Sequence, residues 1–489
     1  MSINTSPIVV TPGNFVEEQH FYPRVLNAHL HPLVRHLMEM GNERIICRYC
    51  HLHPEADESA VRNLLTSCPR FFRWGGSDLI HVTTDTGKRR VVIIETNSCP
   101  SGQKSMPRSV EWQEEAGYQT VLKESFLPAL RRRKKAPKGG LAVLYDKNHM
   151  ENTGYAATLA SLTDEPVYLV PFPTNSETPL ARFNSDRVLE VNVDGEWTPI
   201  RAAFRYVTQK PWDRIPPITR TLIFNPTLVC LAGGRNKMMA AKAYDFYNAR
   251  SQSDGLRIET PETIWDVSLE EVPIWVDRMG GVAVIKVPYS NAGQGVYTVV
   301  NQDELDALMQ IDHQYDKFIV QALIGNADWS SQSRDGRLFH VGTMPDKKLN
   351  LYVADVRFMV AANEQGFFPV AIYSRRARQP LKRTIESGES SWDMLGTNLS
   401  VKQEDGSFTT EPSRLLLVDS RDFNRVGIGM DDLIEGYVQT VMSIVAIDQL
   451  SQELVNSKGR FRRKLFLSMN PDARLAEEIM KPPTPAAPV

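Results

Sequence analysis

The stretch from Gly281 to Val300, GVAVIKVPYSNAGQGVYTVV, narrows the possible folds more than any other. Val282, Val284 and Ile285 form a short apolar run that reads as a buried strand, closed by Lys286. PYSNAGQG follows as a loop of small residues, and VYTVV as a second β-prone run. Gly293 and Gly295, with Ser290 and Ala292, let a backbone bend closely around a ligand. Successive N–H groups in such a loop form a concavity that suits an anion. Lys286 adds a point charge able to reach a phosphate. The chemistry implied is a polyphosphate under a glycine-rich flap; a plain hairpin turn is the structural alternative. Two other phosphate motifs are excluded. No Gly-Lys-Ser/Thr follows the glycines. Thr298 stands where a third dinucleotide-fingerprint glycine would be, with a strand rather than a helix after it.

A second stretch, RRVVIIETNSCPSGQKSMPR at 89–108, carries complementary chemistry. VVII reads as a buried strand with Glu95 and Asn97 at its end. On an extended strand i and i+2 share a face. A carboxylate and an amide oxygen side by side are hard donors, and Mg²⁺ takes such ligands together with phosphate oxygens. Ser98, Ser101 and Gly102 can offer hydroxyl and amide groups to a substrate. Polar residues that merely end a strand are the plain alternative.

The chain has 489 residues, which points to about three domains or one catalytic unit of several lobes. Hydrophobic residues make up 42% and charged residues 23%, enough to bury a sizeable core. A formal net charge of -2 gives no broad field for polyanions, so nucleic acid is not expected as a partner. No apolar run approaches the roughly 20 residues of a membrane helix. The start, MSINTSPIVVTPGNF, lacks the basic and apolar regions of a signal peptide. Five cysteines make no disulfide framework, and a reducing, cytoplasmic setting is expected.

Along the chain, residues 14–40 are patterned as helix interrupted by Pro23 and Pro32. CRYCHLH at 47–53 resembles a zinc or haem pattern, but no second Cys/His pair follows at finger spacing. RIICRYCHL is therefore expected to be a core strand whose cysteines act as small apolar groups. Asp57 is expected to cap a helix. In CPRFFRWGGSDLIHV, Arg70 or Arg73 can meet an anion. Residues 108–132 read as a long amphipathic helix with Trp112, Tyr118, Val121, Phe126 and Leu130 as its apolar face. RRRKK at 131–135 reads as a solvated helix end. LAVLYD, NTGYAATLASLTD and VYLVPF form a βαβ-like pattern, with further strands around the Asp-Gly turn at 194–195. Lys237 opens a helix. KFIVQALIGNADW is a strand breaking at Gly325, where backbone groups can read an adenine edge and Asn326 or Asp328 a ribose. Residues 349–378 are strand, turn at 364–366, strand, carrying Arg357, Arg375, Arg376 and Arg378. LLLVDSRDF reads as a strand, 431–452 and 459–480 as helices, and PPTPAAPV as a disordered tail.

Taken in order, the Lys237 helix, AVIK, the Gly-rich flap, IVQALI, DVRFMV and YSRRAR resemble the ATP-grasp superfamily. Most of its members carry the E-x-N magnesium motif after the flap. Here ETN lies nearly two hundred residues before it. That permuted order is similar to eukaryotic-type glutathione synthetase and to the synthetase part of glutathionylspermidine synthase. KPWDRI and FNPTLVCLAGGRNK are similar to the latter, and the likeness runs from about residue 70 to 400.

The resemblance implies an α/β fold of α+β lobes: two ATP-grasp lobes sandwiching ATP, with an additional α/β lobe. The divisions expected are 1–140, which carries the permuted strand; 141–220, the α/β lobe; 221–400, the ATP-grasp lobes; 401–480, a strand and helices; and the tail 481–489. It implies ATP and two Mg²⁺ ions as cofactors. Lys237 and Lys286 would contact phosphates. Ser290, Asn291, Ala292, Gly293, Gln294, Gly295 and Tyr297 would form the flap. Gln321, Ala322 and Leu323 would make the adenine hinge, and Asp328 would meet the ribose. Glu95 and Asn97 would bind Mg²⁺. Arg357 and Arg376, with Arg73, would hold the transferred phosphoryl group or the substrate carboxylate. The chain departs from glutathione synthetase at Ser290, where that enzyme has a Glu metal ligand, so Asp355 is drawn in as a further ligand. Its flap is NAG rather than three glycines, which leaves glutathione unsupported as product. Gln321 replaces a common acidic residue.

The activity implied is an ATP-dependent carboxylate–amine ligase acting through an acyl phosphate on small molecules, amino acids or short peptides. A homodimer is compatible with it. A phosphotransferase on the same fold, a non-catalytic ATP-binding regulatory protein and a zinc or redox protein built on CRYCHLH are the rivals.

Overall fold

The structure is a computed structural model that describes residues 7–109, 113–173, 179–208, 212–290, 293–386, 389–402 and 408–480. Three sheets matter for the site. The first is an all-antiparallel floor. Its strand Trp74–Thr84 pairs along one edge with Arg89–Asn97. Along the other edge it pairs with Ala354–Asn363 and then Leu338–His340. Gly366–Arg376 and Leu415–Leu416 complete it. Strands 74–97, 354–376 and 415–416 thus share one sheet, so segments expected in the N-terminal part, the ATP-grasp lobes and the C-terminal part are joined by its hydrogen bonds.

Side-chain alternation divides this floor into two faces. Paired residues of antiparallel strands share a face. Asp78 opposes Glu95 and Arg357, Ile80 opposes Asp355, Val82 opposes His340, and Asp355 opposes Arg375. All these residues therefore look the same way. The other face rests on the helix Met430–Glu453, which is apolar nearly all round and buried. There Ser77, Thr96 and Ser443 share hydrogen bonds of 2.9–3.0 Å, satisfying hydroxyls that would otherwise be stranded.

The second sheet, Thr263–Val267, Phe318–Ala322, Ala283–Lys286 and Val296–Val299 in that order, is also antiparallel and carries the glycine-rich turn. The third is the α/β lobe. Its strands Gly140–Tyr145 and Val167–Pro171 are parallel and joined by the helix His149–Thr163, as the βαβ pattern predicts. Glu196–Tyr206 and Leu222–Phe224 extend it in parallel, and Leu189–Val193 forms the hairpin across Asp194-Gly195.

Several local expectations change. RIICRYCHL is not a strand but lies in the helix Asn42–Leu52. Ile45, Ile46 and Tyr49 are buried while Arg44, Cys47 and Arg48 are exposed, so the apolar run follows helical rather than alternating spacing. His53 Nε2 lies 2.6 Å from Glu435, and no metal-binding group of three or more His, Cys, Asp or Glu occurs among the described residues. The helix expected over 108–132 is seen over 116–131, with a π-helical turn at Leu122–Phe126; Trp112 lies outside the described residues. LLLVDSRDF contributes only Leu415–Leu416 as strand. The last helix is two, Arg463–Met469 and Ala473–Met480, because Pro471 cannot continue a helix. Between them Asp472 accepts the Asp316 and Lys317 N–H groups, both at 2.8 Å, and so ties the C-terminal segment to the flap side. Asp57 does cap its helix, accepting the Ala60 N–H at 2.8 Å. No helix among the described residues is long and apolar enough to cross a membrane.

Candidate active site

The charged face of the floor and the inner face of the flap sheet enclose a cleft of two adjoining cavities with shared lining residues. The first, of about 130 Å³, has apolar walls from Ile80, Ile94, Val284, Leu323, Ile324 and Leu395. The second, of about 270 Å³, is polar and includes Lys104, Lys147, Arg235, Arg357 and Arg375. Glu95, Ser290, Arg375 and Asn398 border both.

Glu95 is where the two distant motifs meet. Lys237 Nζ lies 3.2 Å from its Oε1 and donates to the carbonyl and hydroxyl of Ser290, at 3.1 Å each. Lys286 donates to Gln321 Oε1 at 2.7 Å and to the Ile94 carbonyl at 3.3 Å. The register slips between Asp78 and Leu79, where Glu95 and Ile93 are the successive partners. Ile94 is the extra residue, and this bulge lets Ile94 line the cavity beside Glu95. Burial pushes the Glu95 carboxyl up, but Lys237 and Arg235 outweigh it, and the group titrates below its ordinary value. Burial pushes the Lys286 ammonium down to about 8, against the pull of Glu95.

Behind this centre the floor carries a buried charge network. Asp78 accepts both forks of Arg357, at 2.6 and 2.7 Å, and lies 3.0 Å from Arg375. Burial alone would raise the Asp78 carboxyl, yet the two guanidinium groups hold it well below the usual range. Arg375 also forks onto Asp355, which accepts from Thr397 at 2.9 Å. Arg357 and Tyr373 both reach the Ser101 carbonyl.

The flap turn closes on the segment 391–398. Gly293 has φ +78°, and a Cβ there would stand 2.7 Å from Trp392 and 2.9 Å from the Asn398 amide. At Gly295, with φ +64°, a Cβ would meet Val287 at 2.4 Å. Both positions require glycine through backbone and through space.

Of the residues expected here, Glu95, Asn97, Lys237, Lys286, Ser290, Gly293, Gln321, Ala322, Leu323, Asp355 and Arg357 do line the cleft. Asn291 and Ala292 lie outside the described residues, and Gln294 is exposed. Four expectations are corrected. Arg376 points away and stacks 4.5 Å over Tyr352, because it follows Arg375 on a strand and must take the opposite face. Tyr297 packs against His313 for the same reason, leaving Val296 and Thr298 to face the cleft. Arg73 is held by the Pro69 carbonyl and by Glu364 at 3.9 Å, outside both cavities. Asp328 pairs with Arg383 at 2.8 Å rather than facing the cleft. Asp355, though in the cleft, has both oxygens engaged by Arg375 and Thr397, so it offers little to a metal.

For a hard cation this leaves Glu95 with the amide oxygen of Asn97. Asn97 Oδ1 accepts from Arg235 at 2.9 Å and keeps a second lone pair. Its buried Nδ2 has no partner among the described residues. One carboxylate with an amide oxygen fits Mg²⁺, which completes its shell with water and phosphate oxygens. Asp78, Arg235, His340 and Trp392 were not singled out from the sequence, and Arg375 was named there without a role. What brings Asp78 and Arg375 into the cleft is cross-strand pairing, Asp78 opposite Glu95 and Arg357 and Arg375 opposite Asp355, which no local pattern shows.

Neither a protein-family profile nor a curated protein matches the chain. Its structural neighbours are ATP-grasp proteins. A RimK-domain ATP-grasp protein from Sphaerobacter thermophilus is 15% identical, covering 48% of this chain and 90% of its own, with TM-score 0.27. A glutathione synthetase-like effector from Globodera pallida is 10% identical over 73% of this chain and 86% of its own, with TM-score 0.37. D-alanyl-alanine synthetase A from Vibrio cholerae is 11% identical over 48% and 88%, with TM-score 0.29. At TM-scores below 0.5 these likenesses carry no argument about activity, which has to come from the cleft itself.

Proposed function

We propose that the cleft joins a carboxylic acid to an amine at the expense of ATP. One observation carries the reading: Glu95, from a strand far upstream, stands 3.2 Å from Lys237, which in turn holds the base of the flap through Ser290. A hard donor, a phosphate-reaching lysine and a glycine-rich cover thus meet at the junction of an apolar and a cationic cavity. The base would occupy the apolar cavity and the acid the cationic one, with the γ-phosphate between them. Bound Mg²⁺ would neutralise phosphate charge, held by Glu95 and Asn97.

In the first step a carboxylate oxygen attacks the γ-phosphorus and the bond to ADP breaks. In the second an amine attacks the acyl carbon, phosphate leaves, and the amine gives up a proton. No protein nucleophile is required. Lys237 and Lys286 would orient the phosphates and offset their charge, and Arg357 and Arg375 would orient the acid. Trp392 against Gly293 supports a water-excluding closure. Substrates of amino-acid or short-peptide size suit a cavity of about 270 Å³.

A screen of acid and amine pairs for phosphate release, read by mass spectrometry, tests this. Amide product and ADP in equal amounts are expected, with hydroxylamine trapping the activated acid. Phosphate retained on a stable acceptor would instead make the protein a phosphotransferase. ATP binding without turnover across the library would make it a regulatory nucleotide binder.

A further inference from the structure

The cationic cavity holds more positive charge than a single carboxylate calls for. Among the described residues its lining carries five cations, Lys104, Lys147, Arg235, Arg357 and Arg375, against one carboxylate, Glu95. Arg357 and Arg375 are paired with Asp78 and Asp355 in the floor. Arg235 donates to Asn97 Oδ1 at 2.9 Å, and to the carbonyl and Sγ of Cys99 at 2.9 and 3.0 Å. Glu95 already faces Lys237. The two lysines are left over, and both stand on the wall nearest the α/β lobe.

That wall offers them no carboxylate. Glu151 is buried, and all of its accepting capacity is used. One oxygen takes the N–H groups of Gly102 and Gln103 at 2.9 and 2.8 Å, the other Ser101 and Asn148 at 2.7 and 2.6 Å. Asp146 is engaged by Thr208 at 2.9 Å and Arg214 at 3.1 Å. Lys104 donates only to the neutral amide oxygen of Asn148 and lies 5.1 Å over the Tyr22 ring.

Lys147 sits in the turn between the strand Gly140–Tyr145 and the helix His149–Thr163. The turn is fixed. Asn148, with φ +59°, donates to Ser101, Glu151 and Tyr206 at 2.6–3.0 Å, and the Lys147 carbonyl accepts from Asn152 at 2.9 Å. The Lys147 ammonium, by contrast, has no hydrogen bond or ion pair among the described residues. Its side chain keeps accessible surface where it lines the cavity, yet the walls crowd it enough that desolvation, aided by Arg235, pushes the ammonium down to about 8. A cation crowded in this way and short of a counter-ion gains from an anion set beside it.

We propose that the acid used by this cleft carries a second anionic group, a carboxylate or a phosphate, and that Lys147, with Lys104 close by, holds it. The reacting carboxylate lies toward Arg357 and Arg375, and the second anion lies against the α/β lobe. The same balance disfavours a polyamine as acceptor, because Glu95 is the one carboxylate lining the cavity among the described residues. The inference rests on the ligase reading above and names its substrate class.

The test uses the full chain with Mg²⁺, ATP and hydroxylamine in place of the amine, so that only the acid varies. The probes are dicarboxylic acids of increasing chain length, the half-amide of each, and phosphono-carboxylic acids of equal length. Hydroxamate formation is expected to be about tenfold more efficient for the charged member of the best-fitting pair than for its half-amide, through a lower KM rather than a higher kcat. The better of the carboxylate and phosphonate probes identifies the anion. In Lys147→Met, which keeps the stem and removes the charge, the ratio within the pair should fall toward one. Lys147→Arg should keep most of it, and Lys147→Glu should invert it. A native ratio near one, or a native ratio retained in Lys147→Met, would overturn the inference and leave the ligase reading standing. So would a demand for a second anion that appears only when amino acids replace hydroxylamine, since the anion would then belong to the amine. No hydroxamate and no ADP from any acid would overturn the ligase reading as well.

Discussion

The two ends of the cleft are built on one sheet face, yet they differ in kind. At the Ile324 end the walls carry an apolar patch of Ile80, Ile94, Val284, Leu323, Ile324 and Leu395. At the Arg357 end the walls are charged, with three arginines and two lysines. The step from one to the other takes only a few residues along Trp74–Thr84, from Val82 through Ile80 to Asp78. A single strand edge thus grades the cleft from apolar to charged along its length. Glu95 stands at the border, where a carboxylate that titrates below its ordinary value is ionised and suited to a cation.

The largest effect is expected at that border. Glu95→Ala should lower turnover by about a hundredfold or more, since the carboxylate that would hold Mg²⁺ against the phosphates is removed. Binding of a non-hydrolysable nucleotide should change far less. Full activity in this variant, measured as phosphate release, would erase the distinction between border and ends.

Next come adjacent residues on opposite faces. Arg375→Ala strands Asp355 and half of the Asp78 network in the interior, and should cost about 3–5 kcal/mol in urea unfolding. Arg376→Ala removes a half-buried stack on Tyr352 and should cost about 1 kcal/mol. Equal losses would break the assignment of faces.

The smallest effect sharpens the nucleotide end. Lys286 titrates near 8, so its charge is present below that value and lost above it. Affinity for a triphosphate should therefore fall as pH rises through about 8, from a point that the phosphate itself moves upward. Lys286→Arg should flatten the profile, because a guanidinium stays protonated. A native profile that is flat to high pH would remove Lys286 from the phosphates.

Much of the site could be read locally. AVIK, the glycine turn and ETN were visible because each depends on short-range features: a β-prone run, positive φ, an i, i+2 pair. The RIICRYCHL segment misled because so short a mixed segment does not by itself reveal its period, and burial of Ile45, Ile46 and Tyr49 resolves it as helix. Arg376 misled because choosing between neighbours on a strand needs the face, and the face needs the partner strand. Asp328 and Asp355 misled because a carboxylate's availability depends on which cation lies beside it, here Arg383 and Arg375.

From the sequence alone follow the α/β class, the strands that bear Lys286 and the ETN pair, the helix that opens at Lys237, and the glycine cover, since these arise from local propensity and alternation. Only the tertiary structure decides that Trp74–Thr84 joins strands from both ends of the chain, and that one extra residue at Ile94 lines the cavity beside Glu95. It likewise decides that Asp78 and Arg375 are cleft residues. Strand pairing and register are long-range choices, set by how the whole floor packs on the helix Met430–Glu453, and no short stretch of sequence contains that information.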